Sequence, residues 1–110
     1  VAAYYGEVYD AVYMAAIGMS LAADPTSGPS IKEILTDKTK AGTKVFAGDW
    51  AGIQAAIAGD GQVDYMGATG DIDFDENGDV KGNFTHQRFN ESGAFEQEGC
   101  WKPDGSVCTE

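Results

Sequence analysis

The sequence predicts a mixed chain with helices in its first half and a β-hairpin at its end. Three observations predict it. A long stretch of apolar helix formers lies near the start, two shorter helical patterns follow between Pro and Gly breaks, and beyond Gln62 the pattern changes to alternation and tight-turn residues. Helices first and strands second is the α+β order in isolation, and it equally suits the tail of a larger α/β protein. The chain has 110 residues, enough for one domain with its own core, and its 43% hydrophobic content is ordinary for a globular protein.

Tyr4 to Ala23 reads as one helix. Tyr9, Val12, Tyr13, Ala16, Ile17 and Leu21 form a broad apolar face, with Val8, Met14 and Met19 elsewhere, so the helix is expected to be packed on several sides. Asp24-Pro25 ends it, because the residue before Pro disfavours the helical region. Ser30-Ile31-Lys32-Glu33 has the form of a capping box and predicts a short helix to about Lys38, with Ile31, Ile34 and Leu35 along one edge. Lys44 to Ala47 suits a short strand, and Asp49 is placed to cap a third helix, Trp50 to Ala58, stopped by Gly59-Asp60-Gly61. Val63 to Met66 is extended. Ile72 and Phe74 alternate with Asp71 and Asp73 like a half-buried strand, and Asp75-Glu76-Asn77-Gly78 turns. Asn83 to Phe89 and Ala94 to Trp101 form the hairpin, turning at Asn90-Glu91-Ser92-Gly93. The first helix is too apolar for the remaining elements to cover, which predicts further covering chain or a second copy.

Charge excludes some partners. Eighteen acidic residues against seven basic give a formal net charge of -11, which repels nucleic-acid phosphates and anionic membranes. No apolar run reaches the length of about 18 residues that a membrane-spanning helix needs. Val1 stands where a start methionine would be, so the expectation is a chain that has lost a leader or is a piece of a longer one. Cys100 and Cys108 are the only cysteines, and the Pro103-Asp104-Gly105 turn between them would bring the sulfurs together in an oxidising compartment; the alternative is two free thiols. With His86 as the single histidine, the spacing fits no zinc pattern.

Two stretches are specific enough to suggest a family. Tyr9-Asp10-Ala11-Val12-Tyr13-Met14-Ala15-Ala16 and the run from Tyr65 through Phe74-Asp75-Glu76-Asn77-Gly78-Asp79-Val80, in this order, resemble the C-terminal third of type I periplasmic solute-binding proteins of ABC importers, the group that includes Leu/Ile/Val-binding proteins. The resemblance covers nearly the whole chain. It implies an α/β Venus-flytrap of two lobes, of which this chain would be a C-terminal piece. Residues 1–80 would supply first-lobe helices and the acidic turn, and residues 81–110 the hinge crossing and a second-lobe hairpin. It implies a binding protein and not an enzyme, without cofactor or metal. The expected ligand is a small amino-acid-like solute, and the expected partners are membrane permease subunits and the rest of its own chain or a second copy, in the periplasm. The stretch Lys44 to Ala58 and the Cys100–Cys108 tail depart from the common pattern.

The resemblance also suggests site residues. Relatives place an aromatic ligand contact about five residues before the tyrosine of the first motif, which falls on Tyr4 here, with Tyr5 beside it. A flat aromatic wall suits an aliphatic side chain, although both tyrosines could equally be packing residues at a helix start. Asp73, Asp75, Asn77 and Gly78 resemble positions 1, 3, 5 and 6 of a calcium loop, but Phe84 stands at position 12, where a bidentate Glu is needed, and turn stabilisation by Asp75 and Asn77 is the competing reading. A lone His86 offers no second ligand or nucleophile. The alternatives are a ligand-sensing receptor domain on the same fold, or a small secreted module that binds calcium or is stapled by a disulfide, or an enzyme subunit.

Overall fold

The computed structural model describes residues 4–108, which divide between Val80 and Lys81 into two compact units. The architecture is mixed α/β. In the first unit, α1 (Tyr5–Leu21) and α2 (Gly28–Asp37) precede β1 (Thr43–Phe46), α3 (Trp50–Gly59), β2 (Val63–Gly67) and the short β3 (Gly70–Asp71). β1 and β2 pair in parallel, from Thr43 opposite Val63 to Phe46 opposite Met66, and β3 turns back antiparallel on β2. Parallel neighbours need a crossover, and α3 supplies it. Asp49 caps that helix as expected, its Oδ1 accepting from the Gly52 amide at 3.0 Å. Ile53 and Ala56 are then buried against the sheet, with Trp50 and Ile57 packed around them.

The core joins Met14 and Ile17 of α1 to Val45, Ile53, Ala56, Val63, Tyr65 and Ile72. α1 does not bury the face its apolar residues suggest. Ile17 is buried and Tyr13 and Leu21 pack at the margin, but Tyr9 is 44% and Val12 64% exposed, and the remaining buried positions are Asp10, Met14 and Gly18. A helix apolar nearly all round carries too little contrast to choose a side. The choice falls to the positions that meet partners: Asp10 faces the end of β2, and Gly18 faces α2, where an added Cβ would lie 2.9 Å from Ile31 Cγ2. The opposite side, with Tyr5, Val8, Tyr9, Val12 and Met19, is left uncovered.

Two further expectations change. α2 is capped by Ser27, whose Oγ accepts from the Ser30 amide, and not by Ser30. Pro29 explains the shift: its fixed φ suits the first helical turn and its missing N–H is no loss there, so the helix begins before it. Ile72 and Phe74 keep the predicted alternation of burial, but the ladder stops at Asp71. Only the bond from Ile72 N to Tyr65 O, 3.2 Å, extends it, and Phe74 meets Val80 in an isolated bridge.

The second unit is the hairpin of β4 (Phe84–Phe89) and β5 (Phe95–Trp101), with an irregularity in register at His86 and Gln87. Asn90 Oδ1 closes its turn by accepting from the amides of Ser92 and Ala94, both at 3.0 Å, and Gly93 takes the positive φ of 79° that the turn requires. Cys100 and Cys108 form a disulfide around a second turn, where Asp104 Oδ1 accepts from the Ser106 amide at 2.8 Å. Every residue of β4 is exposed.

Candidate functional site

Ligands of open α/β sheets bind outside the carboxyl ends of the parallel strands, because the loops there are free of the ladder and helix starts converge on them. In the first unit this edge is formed by the residues after β1, Ala47 to Asp49, and after β2, Ala68 and Thr69. The start of α1 lies beside the second of these loops: a Cβ on Gly6 would come within 2.8 Å of Thr69 Cγ2. Tyr4 and Tyr5 immediately precede that glycine and are 72% and 70% exposed. The two tyrosines singled out in the sequence therefore stand next to the carboxyl edge.

Tyr4 is also the only residue other than glycine with positive φ among the described residues, at φ 70° and ψ 7°. Left-handed backbone costs an ordinary L-residue roughly 1–2 kcal/mol. Its carbonyl still accepts the first helical bond from Val8 N at 2.9 Å, so it is the N-cap of α1, with no side-chain cap.

What ties α1 to the edge is Asp10, which in the sequence is one member of the Tyr9–Ala16 stretch with no role of its own. It is 3% exposed. Its Oδ1 accepts from the Ala68 amide at 2.8 Å and the Tyr65 hydroxyl at 3.0 Å; its Oδ2 accepts from the Thr69 hydroxyl at 2.6 Å and the Thr69 amide at 2.9 Å. Burial pushes its carboxyl up, but the bonds from Thr69, Ala68 and Tyr65 together outweigh burial and hold it below the usual carboxylate range. The same contact, after burial itself, pushes the Tyr65 hydroxyl up. Gly67 makes room: a Cβ there would come within 2.5 Å of the carboxyl group.

On the β1 side of the edge, the Gly48 amide donates to the Tyr13 hydroxyl at 3.2 Å, and Tyr9 donates to the same oxygen at 3.4 Å. Tyr13 stacks on Tyr65 with ring centroids 5.8 Å apart and meets Trp50 edge-on at 6.2 Å. Beside this cluster Val12, Tyr13, Ala16 and Trp50 line a shallow apolar hollow of about 180 Å³.

No family model matches the chain, and no curated protein and no solved structure matches it. What the edge can do is carried by its own residues. It offers two exposed aromatic side chains, Tyr4 and Tyr5, and a loop hydrogen-bonded through Ala68 and Thr69 to Asp10.

The other sequence candidates lie elsewhere. The acidic turn is closed by Asp75, whose Oδ1 accepts from the amides of Asn77 and Asp79, both at 2.9 Å. Those bonds, from Asp79 and then Asn77, hold its carboxyl low. Asp64, Asp71 and Asp73 each place a carboxylate oxygen within 4.8 Å of the others. Burial, then Asp71 and Asp64, push the Asp73 carboxyl up. His86 lies on the exposed hairpin, 3.4 Å from Glu98, which also takes a 2.8 Å ion pair from Arg88.

Proposed function

We propose that the chain is part of a solute-binding protein of an ABC importer, capturing a small amino-acid-like solute outside the cytoplasmic membrane and handing it to permease subunits. The observation that carries this reading is the position of Tyr4 and Tyr5, exposed and next to the carboxyl edge of the β1–β2 pair, where α/β proteins take their ligands. The resemblance of the Tyr9–Ala16 and Tyr65–Val80 stretches to type I solute-binding proteins supports it. So does the bare apolar side of α1, which suits a helix that packs inside a larger lobe. On this reading residues 1–80 contribute to the first lobe and residues 81–110 to the crossing and the second.

The mechanism is capture by closure. Two lobes exclude water from the solute, an aromatic wall reads its apolar part, and the closed form is the one the permease recognises. Titration calorimetry of the full-length protein with leucine, isoleucine and valine tests it. Binding of at least one is expected, with Tyr4→Ala weakening it about tenfold and Tyr5→Ala less, the loss of one aromatic contact. No heat from any of the three, or an affinity indifferent to both substitutions, removes the proposal.

A further inference from the structure

Among the described residues Asp10 has no cationic partner: four hydrogen-bond donors satisfy it, and the ion pairs all lie within the hairpin. Burying a carboxylate on dipoles alone is a costly way to fasten a loop, and well-packed apolar residues of similar volume would often stabilise it as well. What the carboxylate adds is direction. Four bonds onto two oxygens fix the Ala68–Thr69 loop within hydrogen-bond tolerance, where apolar packing would let it slide. The surroundings are cut to fit this one group. Gly67 leaves the space that the carboxyl fills, and Gly6 lets Thr69 lie against the first turn of α1. The loop so fixed stands at the carboxyl end of β2, beside Tyr4 and Tyr5.

We infer that Asp10 is a positioning residue for the ligand edge: it holds the Ala68–Thr69 loop and the Tyr4–Gly6 segment in one rigid rim and touches no solute itself. The inference rests on the reading of this edge as solute-facing. A rim with fixed spacing between the tyrosines and the loop backbone selects solutes by size, so loosening the rim lowers affinity without removing any contacting group.

The test uses the full-length protein and two readouts. Amide hydrogen exchange compares Ala68 and Thr69 with the core residues Ile53 and Val63, well below the melting temperature. Leucine titration reports the edge. Asp10→Asn keeps one acceptor oxygen and Asp10→Ala keeps none; Thr69→Val, which removes a single hydroxyl donor, serves should the Asp10 variants fold poorly. Exchange at Ala68 and Thr69 is expected to quicken about tenfold or more over the core amides, as the loss of charge-assisted bonds implies. It should increase in the order Thr69→Val, Asp10→Asn, Asp10→Ala, and the dissociation constant for leucine should rise in the same order. Exchange that quickens equally in loop and core overturns the inference, as does a loosened loop with unchanged leucine affinity. If the unsubstituted protein binds no leucine, isoleucine or valine, the solute reading falls, and the exchange data alone decide whether Asp10 holds the rim.

Discussion

At the residue scale, two positions stand apart, the buried Asp10 and the exposed Tyr4. Asp10 has a folded pKa below that of an unfolded aspartate, about 3.9. Its bonds therefore contribute stability in full above that value, and the contribution is lost as pH falls through the lower folded value. Acid unfolding followed by circular dichroism should show a shallower loss of stability below about pH 4 in Asp10→Asn than in the parent, even though Asp24, Asp75 and Asp104 titrate there in both. Gly67→Ala forces a methyl against the same carboxyl, and a cost of about 1–3 kcal/mol by denaturant titration is expected. Tyr4 separates fold from function. Tyr4→Gly should stabilise the chain by up to about 1 kcal/mol, because glycine takes positive φ freely, while removing the aromatic wall and weakening the solute. A glycine variant less stable than the parent would mean that the ring contributes packing that its 72% exposure does not reveal.

At the element scale, α1 and the hairpin both expose apolar groups. On α1 the uncovered side carries Val8, Val12 and Met19. In the 110-residue chain, Val12→Lys with Met19→Lys should change stability by no more than about 0.5 kcal/mol, the usual range for exposed sites, and should reduce dye binding and light scattering. A loss of several kcal/mol would show that this side is covered in solution. The hairpin shows how little a two-stranded sheet holds by itself. Phe89 and Phe95 stack across it at 4.4 Å, yet both are exposed. The Cys100–Cys108 bond closes a short ring there and removes about 2–3 kcal/mol of chain entropy from the open form. Reduction should therefore quicken amide exchange at Cys108, whose N–H donates to Cys100 O at 3.0 Å.

At the scale of the whole molecule, charge dominates. A net charge of -11 on 110 residues disfavours the compact state through self-repulsion. Raising sodium chloride from about 10 mM to about 150 mM shortens the screening length from roughly 30 Å to 8 Å, and the melting temperature by calorimetry should rise. Calcium at matched ionic strength should add nothing further, because Asp75 of the acidic turn is already taken up by the Asn77 and Asp79 amides. A calcium-specific rise would revive the secreted calcium-module reading.

Local chemistry was legible from the chain alone. The Asp49 cap, the Asn90 and Asp104 turns, the β1 and β2 segments and the paired cysteines follow from short-range rules about propensity, capping and positive φ, which need only neighbours in sequence. Tertiary structure decided the rest. Which side of α1 is buried could not be read from a helix apolar nearly all round, and the role of Asp10 could not be read at all, because its four donors lie 55 to 59 residues away. A buried carboxylate carries its meaning in its partners, and those are brought to it only when β2 and α1 pack together.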